Sequence, residues 1–330
     1  NTSAGASVVD ANGVQLGASN VASLKVVANQ GAITQAEAIT VSGSTSLDAG
    51  GNAITLTKAN DFGGKVNVKG GATAITSSKA LDANLNTTGA TTLVAGTELG
   101  VAGNVSGGTL SLTTVKGTIN ATTVEKDLSL TATGGVTQKG ALKVGGVTSI
   151  KSSGGSVDLT DAGNDFVGKV SIDGSASVVD ANALAVELSG KGDVSVAAGG
   201  VLDISGVANN VNTSAVGKTN FGDLNVAQKL NIVSLGGELF VLDGKLLLAN
   251  EIDFTLPKNV NLGSYANQFH IESAENILVL SGGNGYIQIP VTSKARRFVG
   301  TRLLMLIRSK WRWVLVASPS TIALASTVVR

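Results

Sequence analysis

With a single histidine, His270, and no cysteine in 330 residues, this chain has few ways to carry out nucleophilic or metal chemistry. No histidine dyad, triad or cluster can form within one chain, and thiolate nucleophiles, thiolate metal sites and disulfides are excluded. A threefold ring of His270 in a trimer is the one histidine site symmetry would allow; a packed or solvated strand residue is the simpler reading. The run Gly282-Gly-Asn-Gly-Tyr286 starts like a calcium-binding glycine-rich nonapeptide, but Tyr286 stands where the ligand Asp belongs, and it reads as a glycine turn. Gly217-Lys218-Thr219 ends like a phosphate loop, yet Asn212 occupies the place of the first glycine and no strand-loop-helix context surrounds it. No cofactor and no metal is expected.

Carboxylates remain. Glycosidic hydrolysis needs two acids about 5 to 10 Å apart, and Asp158 with Asp161 and Asp165, or Glu272 with Glu275, offer candidate pairs. The first two-thirds of the chain holds almost no aromatic residue to stack a sugar ring, and its Asp residues fall where turns need them. The expectation is a protein that is not an enzyme, with a polysaccharide depolymerase as the weakest of three readings.

Cationic side chains are segregated. Residues 291–330 contain Lys294, Arg296, Arg297, Arg302, Arg308, Lys310, Arg312 and Arg330 and no acid, whereas the rest of the chain is net acidic. A nucleic-acid groove would combine such charge with aromatic stacking. However, Trp311 and Trp313 share a strand face with Leu303, Met305, Ile307 and Leu315, as core or subunit-contact residues do, and no nucleic acid is expected. Arg296, Arg297, Arg302, Arg308, Lys310 and Arg312 are candidates for contact with an anionic surface such as lipopolysaccharide or phospholipid. A solvated or inter-subunit role is the plainer alternative.

The elements that position these residues follow from a repeat. Gly31-Ala-Ile-Thr-Gln35, Ala38 to Leu47 and Asn60-Asp-Phe-Gly-Gly-Lys-Val66 return in the same order as Gly134-Gly-Val-Thr-Gln138, Ala141 to Ile150 and Asn164-Asp-Phe-Val-Gly-Lys-Val170. The offset is 103 residues at Ala38/Ala141 and 104 at Asn60/Asn164, so one residue is inserted in a turn. Ala6-Ser-Val-Val-Asp-Ala-Asn12 recurs identically at Ala176–Asn182. Between the repeats, short runs such as Lys65-Val-Asn-Val and Asp193-Val-Ser-Val alternate with period two, the mark of half-buried strands. Recurrence over more than 200 residues favours stacked coils over a sandwich. With roughly 20 residues and about 4.8 Å of rise per coil, they would make a shaft on the order of 50 Å. Gly, Asn and Asp would supply corners of positive φ. Phe62 and Phe166 would plug the core.

Mean hydropathy of +0.29 and a formal charge of +1 argue against disorder. No run reaches the roughly 18 apolar residues a membrane helix needs, and no secretory signal is visible.

The repeats resemble those of filamentous-haemagglutinin-type large exoproteins, with their Gly-Ala-Ile-Thr-Gln, Asn-Asp-Phe-x-Gly-x-Val and Val-x-Asp-Ala-Asn strings. The resemblance implies a right-handed parallel β-solenoid over 1–216 and an extended, adhesive role. From 217 to 330 the character changes: eight of 11 aromatic residues lie from Phe240 onward. A hairpin expected around a turn at Arg308–Lys310 is apolar on both faces, which calls for cover by subunit association. With Gly282 to Pro290 ahead of it, this stretch is similar to the closing β-domains of trimeric phage fibres and spikes. The combined expectation is an all-β homotrimer, a virion-surface fibre that contacts other virion or envelope proteins at one end and a host glycan or lipopolysaccharide at the other. A secreted or cell-surface bacterial adhesin is the alternative.

Overall fold

The computed structural model describes residues 4–235 and the strand segments 239–241, 247–255, 277–281, 297–300, 303–305, 316–318 and 321–323. Among these residues every regular element is a β-strand, and the pairing from residue 6 to residue 281 is parallel. The repeat part is a β-solenoid of about 13 turns. By contact density the chain divides into two units, meeting at Val170/Ser171.

In the first unit, β1 (Ala6–Asp10), β2 (Val14–Leu16) and β3 (Ser19–Val21) form one turn. β4 (Leu24–Ala28), β5 (Ile33–Gln35) and β6 (Ile39–Val41) form the next. Then follow β7 (Thr45–Asp48), the long β8 (Ile54–Phe62), β9 (Lys65–Gly70) and β10 (Thr73–Ser77). β11 (Leu81–Thr87), β12 (Thr91–Ala95), β13 (Glu98–Val105), β14 (Leu110–Thr114) and β15 (Lys116–Val124) continue the winding. β16 (Leu128–Ala132), β17 (Val136–Gln138), β18 (Leu142–Val144), β19 (Thr148–Leu159) and β20 (Asp165–Phe166) complete it. One column stacks β1, β4, β7, β9, β11, β13 and β15. A second stacks β8, β10, β12, β14, β16 and β19.

Turn length varies. The register places Val66 over Thr45, 21 residues on, but Ala83 over Val66 after only 17. These lengths do not divide the 104-residue repeat, so the two copies occupy different columns. Leu128 covers Leu110 as Leu24 covers Ala6, which makes β14 the counterpart of β1, yet β14 stands in the second column. The alternation of inward and outward residues fixes each strand's burial locally, whichever face it reaches.

The core shows why small and aliphatic residues dominate. In a parallel stack, equivalent positions sit directly above one another, and Leu56, Ile75, Leu93, Leu112, Leu130 and Ile150 form one continuous buried ladder. Phe62 and Phe166 are buried, as the sequence suggests. The positive-φ glycines depart from expectation. Three of the five among the described residues, Gly103, Gly174 and Gly206, lie inside strands rather than at corners. Gly103 (φ 110°) and Gly206 (φ 111°) each sit at a register shift, where one strand gains a residue on its neighbour. A Cβ there would collide with the carbonyl oxygens of Leu85 and Leu188, respectively.

The second unit contains β21 (Val170–Asp180), β22 (Leu184–Ser189), β23 (Asp193–Ala198), β24 (Leu202–Ala208), β25 (Asn210–Ala215) and β26 (Thr219–Ser234). Its parallel ladder runs past Val216. β25 pairs with β26, β26 with β27 (Leu239–Val241) and β28 (Leu247–Thr255), β28 with β29 (Ile277–Ser281), and β29 with β30 (Arg297–Gly300). Antiparallel pairs appear only between β30 and β31 (Leu303–Met305) and between β32 (Val316–Ser318) and β33 (Thr321–Ala323) among the described residues.

Candidate functional site

The most elaborate polar constellation is built by the two ends of the repeated segment. In β8, three residues between Leu56 and Asn60 stand opposite the single Thr76 of β10, a bulge of two extra residues shown by the slip from Ile75↔Leu56 to Ser77↔Asn60. Such a bulge strips backbone groups of ladder partners, and buried N–H and C=O groups must be satisfied somewhere. Asn60, completely buried, does this with its carboxamide. Its Oδ1 accepts from Ile39 N–H at 3.0 Å and from Gln35 Nε2 at 2.8 Å. Its Nδ2 donates to Leu56 O at 3.1 Å, Thr76 O at 3.0 Å and Gln35 Oε1 at 3.0 Å. Gln35 Oε1 also accepts from Lys58 N–H at 3.1 Å, closing the loop.

The second copy repeats this latch. Asn164 Oδ1 accepts from Leu142 N–H at 2.8 Å and from Gln138 Nε2, and its Nδ2 donates to Leu159 O at 3.1 Å and Gln138 Oε1 at 3.2 Å. Asp161 N–H takes the place of Lys58 N–H on the glutamine, at 3.0 Å. The inserted residue lies inside this loop: Gln and Asn are 25 residues apart in the first copy and 26 in the second. The recurrence of Gln and Asn in fixed order was visible in the sequence, but their joint role was not, because 25 residues separate them and only the coil brings them together.

Two of the acids considered for catalysis, Asp158 and Asp161, are engaged in local hydrogen bonds. Asp161 Oδ1 caps Gly163 N–H at 2.9 Å, and Asp158 accepts from Ser156 Oγ at 2.7 Å. Asp10, Asp48 and Asp180 likewise each accept the N–H two residues on, at 2.7, 2.9 and 2.6 Å. The recurring Val-Asp-Ala-Asn string thus encodes the same turn twice. For Asp48, desolvation raises the pKa, but the Gly50 N–H together with the hydrogen bond and charge of Lys69 outweigh it, and the carboxyl lies below its ordinary value. The Asp193 carboxyl is held low by the side chains of Asn209 and Asn210, each at 2.8 Å, against a smaller desolvation effect. Ion pairs link successive turns at the surface, as in Lys69–Asp48 at 3.1 Å and Lys116–Glu98 at 3.3 Å; exposed pairs of this kind contribute little. Among the described residues no group of three or more His, Asp or Glu side chains could hold a metal ion.

Of the C-terminal residues singled out by sequence, Arg297 opens β30, and Leu303 and Met305 belong to β31, where Leu304 faces Val299 in register. Arg296, Arg302, Ile307, Arg308, Lys310, Trp311, Arg312, Trp313 and Leu315 lie outside the described residues, as do His270, Glu272, Glu275 and the turn Gly282–Tyr286.

The latch and its recurrence bear directly on the comparison with known families. Residues 3–69 and 107–173 both match one repeat family. Its description is "Repeats of unknown function (DUF5649)". The two matched stretches are offset by 104 residues, the spacing of Asn60 and Asn164, and each contains one Gln–Asn pair. No curated protein and no solved structure matches the chain.

Proposed function

We propose that this protein is a non-enzymatic structural and adhesive fibre protein, displayed on a virion surface as a phage fibre or spike and engaged in attachment to a host surface. The observation that carries the non-enzymatic part is the use of its acids. Of the carboxylates weighed for hydrolysis, Asp161 caps a turn and Asp158 accepts from the neighbouring Ser156 hydroxyl, and Asp48 both caps a turn and pairs with Lys69 of the next coil, a use of acids that supports a structural role. A stack of parallel turns is a scaffold that displays a surface at a distance from its anchor.

The attachment part rests on sequence. The basic segment from Arg296 to Arg312 suits an anionic glycan or lipopolysaccharide, and the two-sided apolar run from Leu303 to Leu315 suits burial in a homotrimer. Right-handed winding and a distinct C-terminal domain follow from the same resemblances. The test is light scattering combined with adsorption to lipopolysaccharide-bearing cells. A trimer whose adsorption falls in Arg308→Ala/Arg312→Ala and with rising salt supports the proposal; a monomer that adsorbs equally well with and without those arginines refutes it.

A secreted or cell-surface bacterial adhesin is the second reading. It follows from the resemblance of the repeats to those of haemagglutinin-type rods. Immunolabelling of virions against cell envelopes separates the two.

A further inference from the structure

Five Asn-x-Ser/Thr triplets occur in the chain, beginning at Asn1, Asn86, Asn104, Asn120 and Asn212. Such a triplet accepts N-linked sugar where its asparagine amide stands clear of the fold at the protein surface. Asn1 lies outside the described residues, and the structure sorts the other four.

Residues two apart in a strand project to the same face, so an unbroken strand turns the Asn and the Ser or Thr of a triplet outward together. Asn86, near the end of β11, is exposed, and so is Thr88 in the corner that follows. Asn104 near the end of β13 and Asn212 in β25 are exposed, with Ser106 and Ser214 half-buried. Ser106 Oγ donates to Thr87 O at 3.2 Å. The middle residues Thr87, Val105 and Thr213 point inward and are buried, as the alternation requires.

Asn120 is different. Between Ile119 and Thr122, β15 carries one residue more than the facing β13, and the resulting bulge turns Thr122 into the core at 2% exposure. There its hydroxyl donates to Asn120 O at 2.9 Å, while Asn120 Nδ2 donates to Val101 O at 3.3 Å. Among the described residues, Asn120 is the only one of the four whose amide nitrogen is engaged in this way. A sugar on that nitrogen would have to displace the bond to Val101 at a packed bulge.

We propose that Asn86, Asn104 and Asn212 are N-glycosylation sites and that Asn120, in spite of its triplet, is not. The co-substrate is a sugar carried on a diphosphate. Asn Nδ2 forms a bond to the anomeric carbon, the bond from that carbon to the diphosphate oxygen breaks, the diphosphate leaves with the electron pair, and Nδ2 gives up one proton. Asn86 and Asn104 are register partners on adjacent turns, about 4.8 Å apart, so their sugars stand side by side on one face.

The test is peptide mass spectrometry of the full chain isolated from the cells or virions that carry it. Sugar is expected on the peptides containing Asn86, Asn104 and Asn212, with Asn120 bare. A single sugar residue at each site supports the proposal with a nucleoside diphosphate donor, and a preassembled oligosaccharide supports it with a polyprenyl diphosphate donor. Thr88→Ala removes an exposed hydroxyl and leaves Asn86 in place; the unfolding transition stays and the sugar at Asn86 is lost, whereas Thr88→Ser retains it. Sugar on Asn120, sugar kept at Asn86 in Thr88→Ala, or bare asparagine in every molecule at any one of the three sites overturns the proposal.

Discussion

Replacing Asn60 with Ala tests the latch at its most connected atom pair. The carboxamide makes five hydrogen bonds, two to Gln35 and three to the backbone at Ile39 N–H, Leu56 O and Thr76 O. A buried polar group left without its partner costs about 1–3 kcal/mol. Three such backbone groups therefore set a loss of at least about 3 kcal/mol, before any cavity effect. Asn60→Asp is a sharper control of nearly the same shape, since it turns the Nδ2 donor into an acceptor facing three acceptor oxygens. Its defect is larger at neutral pH and partly relieved in acid, where a protonated carboxyl can donate once. Denaturant unfolding gives the overall loss and native-state exchange at the Ile39 amide gives the local one. The cycle of Asn60→Ala with Gln35→Ala should show coupling of about 0.5–3 kcal/mol. A loss under about 1 kcal/mol with Ile39 exchange unchanged would refute the argument that this side chain replaces missing ladder bonds.

Leu112→Ala, in the middle of the aliphatic ladder, should cost about 2–5 kcal/mol in the same unfolding assay. The hydroxyls of Thr45 and Thr148 are buried without a hydrogen-bond partner, at positions 103 residues apart in the two repeats. Thr45→Val and Thr148→Val should each stabilise by about 1 kcal/mol, whereas Thr91→Val, whose hydroxyl reaches Gly89 O and Thr87 Oγ1, should destabilise. The folded-state pKa of Asp193 is depressed below the unfolded value of about 3.9. It therefore contributes stability above about pH 4 that is lost as pH falls through the folded value. Asp193→Asn should remove that part of the acid dependence, read from melting temperatures between about pH 2 and 5.

The strands were legible because alternation survives in single runs: Lys65-Val-Asn-Val reads as outward, inward, outward, inward, and the burial of Val66 and Val68 follows it. Stacking was legible because the Gln and Asn strings recur in order. What could not be read was anything requiring the coil's pitch. Turn length ranges from 17 to 21 residues between neighbouring positions of one column, so neither the face on which a repeat lands nor the pairing of Gln35 with Asn60 follows from a mean of about 20. Glycines inside β13 and β24 were hidden for a related reason. A bulge is set by two adjacent strands, and Gly103 carries no local mark that distinguishes it from a corner glycine.

The central claim is that successive turns stack in parallel at the stated register, and the absence of native cysteine allows it to be tested by crosslinking. Thr92 and Ser111 are register neighbours on β12 and β14, about 4.8 Å apart across the ladder, within reach of a disulfide. Oxidation of a Thr92→Cys/Ser111→Cys chain should give a near-quantitative intramolecular disulfide, with far less in Thr92→Cys/Thr113→Cys, where the second position is shifted two residues along the strand. Equal yields from the two pairs, or none from the first, would contradict the stacked-turn architecture.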